Sequence, residues 1–204
     1  MIGSHNTLTY LPVRHWYHKP IKFMAKCQSK KIQDQFHDYN IRFFDFRVRF
    51  KSGEPVIAHG PIEFKGDVFD YLNYLNTQAQ VNNINVYVRL ILESNKPMKD
   101  QDSQELLFQE FCEYVVNKYT NLTFFGGRRK YDWKILYDFY VEPDILDKYS
   151  STTNIFGLSK DHWTAKIDDL WPWLYAKLYN KRNIKRYIDN KDTSILFIDY
   201  INIR

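Results

Sequence analysis

The stretch at 41–50, IRFFDFRVRF, limits the fold more than any other part of the chain. Side chains of a strand alternate between two faces. Phe44, Phe46, Val48 and Phe50 therefore share one face, and Ile41, Phe43, Asp45, Arg47 and Arg49 share the other. The first face is apolar throughout and needs a cover of helices. The second begins apolar and turns charged towards the C-terminal end of the strand. A strand buried on both sides belongs in a parallel sheet flanked by helices. An inner face that is packed below and polar at its C-terminal end matches the interior of a βα barrel.

The rest of the chain alternates in the same way. Strands are predicted at 1–9, 84–93, 122–126 and 133–139, and in the closing SILFIDYIN. Helices are predicted over 29–39, 67–80, 103–119 and 167–190, with Ser29 and Asp67 as N-caps, Pro172 near the start of the last one, and 140–166 irregular. Leu107, Phe108, Phe111, Cys112, Val115 and Val116 form one side of the third helix, so Cys112 is expected to pack in the core. Alternating strand and helix predicts an α/β fold with a mostly parallel sheet. A strand at each terminus suits a barrel in which the last strand pairs with the first. A full (β/α)8 barrel needs about 250 residues. The expectation is therefore a single domain over 1–204, a distorted and trimmed TIM-type (β/α) barrel.

A hydrophobic content of 44% excludes disorder, and two cysteines, Cys27 and Cys112, are expected to be too few for a disulfide framework or a zinc site. The net charge of +5 suits an anionic partner. No apolar run is long enough to span a membrane and no basic-then-apolar leader opens the chain, so a cytoplasmic protein or a processed secreted form is expected. Asn121-Leu122-Thr123 fits a glycosylation acceptor, a pattern that also arises by chance.

Charge recurs on the apolar strands. Tyr87, Arg89, Ile91 and Glu93 share a face, as do Ile195, Phe197 and Asp199. Buried charges are costly unless paired, and structural pairs such as Asp45 with Arg47 or Arg89 with Glu93 would satisfy that need. Three strands with a charge near the same end favour a site instead. Two histidines, His5 in GSHNTLTY and His59 in PVIAHGP, can divide acid and base work between them. Arg47 could neutralise charge growing on a phosphoryl group.

In these segments the chain resembles the phosphatidylinositol-specific phospholipase C X-domain-like phosphodiesterases. GSHNTLTY is similar to that family's first-strand motif, and YNIRFFDFRVRF to its second-strand motif with an Arg two residues after an Asp. PVIAHGP is similar to the segment of the second catalytic histidine, VRLILES to the third-strand motif, and ILFIDYIN to the closing strand. These blocks occur in the family's order. The stretch 122–190, where relatives bind headgroups, does not align.

The resemblance implies a phosphoric diester hydrolase or lyase acting on a phosphatidylinositol-type phospholipid or a glycerophosphodiester through a cyclic phosphate. It implies His5 as general base, Asp199 as its orienting partner and His59 as general acid. Arg47 would bind phosphate oxygens, Asp45 would hold Arg47 or His59, and Asn6, Arg89 and Glu93 would surround the substrate. Asn6 is of the calcium-dependent kind, and calcium could take oxygens from Asn6, Asp45 and Glu93. Asp45-Phe46-Arg47 is of the metal-free kind, and the charge of Arg47 disfavours calcium, so no cofactor is expected.

The alternatives are a calcium-dependent phosphodiesterase and a non-catalytic barrel that binds anionic headgroups. Nucleic-acid binding lacks a recognisable module, and a monomer is expected. Arg128, Arg129 and Lys130 read as a solvated loop. Trp16, Trp171 and Trp173 could dip into a lipid interface, although core packing is the commoner role. His15, His18, His37 and His162 carry no motif.

Overall fold

The computed structural model describes residues 2–93, 101–129, 135–138, 171–189 and 196–203. Its strands are β1 (Ile2–Ser4), β2 (Phe43–Lys51), β3 (Glu54–His59), β4 (Ile62–Glu63), β5 (Val86–Leu92), β6 (Leu122–Arg129), β7 (Ile135–Asp138) and β8 (Leu196–Ile198). Its α-helices are α1 (Lys22–Ala25), α2 (Ile32–His37), α3 (Val68–Asn82), α4 (Gln101–Lys118) and α5 (Pro172–Asp189), and a 3-10 helix covers Trp16–Ile21.

The two ends of the chain lie side by side, because β8 pairs in parallel with β1 over Ile2–Ser4. The sheet then runs in parallel through β2, β5 and β6. β7 adds antiparallel to β6. Among the described residues β7 and β8 do not pair, so the sheet is a trimmed barrel left open rather than a closed one.

The alternation read in β2 sets its two environments. Phe44, Phe46 and Val48 are fully buried in one cluster with Val68, Leu72 and Leu75 of α3 and Phe108, Phe111 and Val115 of α4. Each such side chain contributes about 1.5–3 kcal/mol on leaving water. The opposite face is lined by Phe43 stacked on Tyr87 and by Phe125 near Phe197, with Asp45, Arg47 and Arg89 also buried there. Asp67 does cap α3, its side chain accepting a hydrogen bond from the Phe69 amide. Cys112 is buried in the core, and burial raises its thiol pKa.

Several expectations are corrected. The first strand is not 1–9: it ends at Ser4, and turns begin at His5 because Asn6 adopts a left-handed backbone with φ 45°. Ser29 caps no helix. α2 starts at Ile32 behind Lys31, and the Ser29 hydroxyl donates to Asn202 Oδ1 instead.

A hairpin, β2–β3, interrupts the βα alternation at Ser52 and Gly53, both of which have positive φ, as a two-residue turn between right-twisted strands requires. Arg128 and Arg129 continue β6 rather than forming a loop, and there they pair with Tyr137 and Ile135. Trp16, Trp171 and Trp173 are not core residues: they are 79%, 49% and 48% exposed. Lys130, His162 and the irregular stretch 140–166 lie outside the described residues.

Candidate active site

The site is built where strands end. β1 terminates at Ser4 with the His5 amide still donating to the Ile198 carbonyl of β8. The left-handed turn at Asn6 then points the Asn6 amide at Asp45 Oδ2, 3.0 Å away. Asn is among the few residues that accept this backbone region. Thr7 completes the stitch: its hydroxyl donates to the Ser4 carbonyl and accepts from the Asp45 amide, both at 3.0 Å. Asp45 and Arg47 stand on the inner face of β2, Arg89 on β5, Glu93 just beyond β5, His59 at the end of β3 and Asp199 just beyond β8. In βα barrels the C-terminal ends of strands are where catalytic groups gather.

All eight residues singled out in the sequence meet there, and each is buried. His5 Nδ1 lies 2.6 Å from Asp199 Oδ1, and its Nε2 lies 2.6 Å from Arg47 Nη2 and 2.9 Å from Asn6 Nδ2. Since Arg47 and the Asn6 amide can only donate, Nε2 accepts and the ring proton sits on Nδ1, directed at Asp199. Arg47 bridges two acids, with Nε 3.0 Å from Asp45 Oδ2 and Nη1 3.3 Å from Glu93 Oε2. The other oxygen of Glu93 accepts from the Gly60 amide at 3.0 Å, next to His59. The His59 ring stands 6.3 Å from that of His5, nearly perpendicular to it, and its Nδ1 is 3.0 Å from the Ala25 carbonyl. Arg89 approaches Asp45 Oδ1 at 3.8 Å and lies over the ring of Phe197.

Burial, and then the positive charge of Arg47, hold the His5 pKa well below its ordinary 6.5. His5 is thus neutral, with a lone pair at Nε2 and a carboxylate behind it: the electronic form of a general base. Burial also lowers the His59 pKa, against the opposing pull of Glu93. Burial works against the charge of Arg47, but Asp45 and Glu93 overcome it and raise its pKa, so the guanidinium stays charged.

The oxygens that calcium would need do not form a vacant cage. The guanidinium of Arg47 sits between Asp45 and Glu93 and bonds to both. This donor set does not fit calcium.

Four supporting residues escaped the sequence reading. Cys27 Sγ lies 3.4 Å from Asn6 Nδ2 and 3.7 Å from His59 Nδ1. The side chain of Gln28 donates to the carbonyls of His5 and Ile198 and accepts from the Ile201 amide. Asn180 on α5 donates to the Asp199 carbonyl at 2.7 Å. Thr7 acts as described above. Only Thr7 had a signal, its place in the GSHNTLTY motif. The other three are polar or small side chains with no periodic context.

No protein-family model and no curated protein matches the chain. Solved structures do. The phosphatidylinositol-specific phospholipase C from Listeria monocytogenes superposes with a TM-score of 0.58 at 16% identity, covering 98% of this chain and 87% of that one. A double mutant of the phosphatidylinositol-specific phospholipase C from S. aureus gives 0.59 at 15% identity, covering 98% and 84%. The chain has the fold of these phospholipases. Both phospholipase structures are matched over 98% of this chain, so the trimmed, open barrel is that fold.

Proposed function

We propose that the chain is a phospholipase C-like phosphodiesterase that cleaves a phosphatidylinositol-type lipid or a related phosphodiester without a metal. The arrangement Asp199–His5–Arg47, with the base lone pair at Nε2 and a charged guanidinium beside it, carries this reading. A phosphodiester monoanion competes with His5 Nε2 for Arg47 Nη2, and its arrival frees the base. His5 Nε2 takes the proton of the substrate's neighbouring hydroxyl, and that oxygen attacks phosphorus. His59 gives a proton to the departing alkoxide oxygen, leaving a cyclic phosphodiester and a free alcohol. Holding the attacking hydroxyl on the same molecule supplies a large effective molarity. Arg47 neutralises the oxygens of the transition state. The anion also raises the His59 pKa, offsetting the lowering caused by burial.

A lipid substrate is supported by the surface beside the site. Trp16, Phe23, Trp171 and Trp173 are exposed, Phe23 stacks on Trp171 with ring centres 6.3 Å apart, and Lys177 Nζ lies 5.1 Å from the centre of the Trp173 ring. Exposed aromatics beside basic side chains suit the boundary of an anionic membrane.

The test is phosphorus NMR of phosphatidylinositol vesicles and of soluble glycerophosphodiesters, with and without EDTA. The expected result is a cyclic phosphate, turnover insensitive to EDTA, and losses of about 10²–10⁴-fold in His5→Ala and His59→Ala. Full activity in both variants sinks the two-histidine scheme. Loss in EDTA restored by calcium sinks the role of Arg47.

A further inference from the structure

One buried group at the site has no part in the scheme above. Cys27 is 1% exposed, on the segment between α1 and α2, and its sulfur lies among the catalytic side chains. One ligand atom each from His5, Cys27 and Asp199 lies within 4.8 Å of the other two. These are an imidazole nitrogen, a sulfur and a carboxylate oxygen, contributed by three separate parts of the fold. Asn6 reaches the same cluster, and its Oδ1 is buried and accepts no hydrogen bond. Rotating that amide about its last bond exchanges the donor now facing His5 and Cys27 for an oxygen.

We propose that His5, Cys27 and Asp199 form a binding site for zinc, and that zinc held there switches the phosphodiesterase off. The inference rests on the reading of His5 as the general base. Thiolate, imidazole and carboxylate select zinc or cobalt over calcium and magnesium, which prefer oxygen alone. Zinc bonds of about 2.0–2.3 Å place tetrahedral donors roughly 3.3–3.8 Å apart. The three donors lie within 4.8 Å of one another and His5 Nδ1 stands 2.6 Å from Asp199 Oδ1, so reaching that spacing needs side-chain shifts of about 1 Å. The fourth position falls to the Asn6 oxygen or to water.

Binding exchanges the thiol proton of Cys27 for the metal and releases that proton to solvent. The thiolate and the Asp199 carboxylate together cancel the charge of the ion, which makes it tolerable near Arg47. Zinc on Nε2 consumes the lone pair of the base. Zinc on Nδ1 forces the ring proton onto Nε2. Either geometry leaves His5 unable to accept a proton from substrate.

Cobalt reports such a site directly, through a thiolate-to-metal charge-transfer band. The chain is titrated with cobalt under reducing conditions, with Cys27→Ser, Cys27→Ala and Cys112→Ser alongside. Wild type and Cys112→Ser should develop the band, zinc should bleach it, and both Cys27 variants should lack it. Zinc should inhibit wild-type and Cys112→Ser turnover at least tenfold, while each Cys27 variant, whatever its own basal rate, should turn over equally fast with and without zinc.

Absence of the band in wild type, or its survival in folded Cys27→Ala, overturns the site. His15 and His18 on the surface cannot mimic it, because they offer no sulfur. The spectrum needs no substrate. A band without turnover on any phosphodiester therefore refutes the catalytic reading and keeps the metal site, while turnover without a band refutes only the metal site.

Discussion

At the scale of single residues, the two histidines are unequal, and the inequality can be measured. In the proposed scheme His5 works when neutral and His59 when protonated. The His5 pKa is pushed well below 6.5 by burial and by Arg47. That of His59 is also lowered by burial, with Glu93 and Asp45 pulling it back up. On raising the pH of the free protein, kcat/KM climbs as His5 loses its proton, well below 6.5. It falls as His59 loses its own proton, again below 6.5. The maximum of kcat/KM is therefore expected on the acidic side of pH 6.5, and a profile peaking above pH 7 would contradict the assignment of roles. Replacing Glu93 by Gln removes the main support for protonated His59 and should move the descending limb further towards acid. Every residue of this constellation was legible in the sequence, because period-two alternation put charges on apolar strand faces and two motifs supplied the histidines. Their contacts were not legible. Whether Asn6 offers oxygen or nitrogen depends on a side-chain torsion, and whether Arg47 repels a cation or fills its place depends on a bridge of about 3 Å to each of two acids.

At the scale of elements, strand β6 shows how tightly the sheet is built. Gly126 lies opposite Leu90 of β5 with φ +128°, and a Cβ there would sit 2.0 Å from the Leu90 carbonyl oxygen. Neither strand can yield without breaking the ladder that positions Arg89. Gly126→Ala should cost about 3 kcal/mol or more, since it adds backbone strain to a clash with main chain. Asp67→Ala removes only the N-cap of α3 and should cost about 1 kcal/mol. Urea unfolding of the two variants checks the order, and equal costs would mean that β6 adapts. The long elements β2, β5, α3 and α4 were legible because each repeats its pattern over many residues. The two terminal strands and their pairing were expected from the sequence too, but not their bounds: β1 and β8 keep only three residues each, because their strand form depends on pairing with one another. The hairpin turn at Ser52-Gly53 did carry a local signal, but one that competes with the βα alternation on either side.

At the scale of the molecule, the candidate active site is a seam between the N-terminal and C-terminal strands. His5 belongs to the first turn and Asp199 to the last, 194 residues apart, yet they meet at 2.6 Å. Three backbone ladder positions between β1 and β8 are little to hold such a seam. Gln28, fully buried, is the added fastening. Its amide nitrogen reaches the His5 carbonyl at 3.0 Å and the Ile198 carbonyl at 2.9 Å, and its oxygen receives the Ile201 amide at 3.2 Å. One side chain thus ties both termini to the segment that also carries Cys27. Gln28→Ala leaves buried backbone groups on both sides of the seam short of partners. At about 1–3 kcal/mol for each such group, a loss of about 2–4 kcal/mol is expected. A general loosening would speed amide exchange everywhere. Failure of the seam would instead speed it first at His5 and Ile201, while the amides of β5 stay protected. Exchange followed by mass spectrometry separates these outcomes, and turnover should fall further than stability alone explains, because His5 and Asp199 would no longer be held in register. Unchanged exchange at His5 would mean that the β1–β8 ladder holds the seam without Gln28.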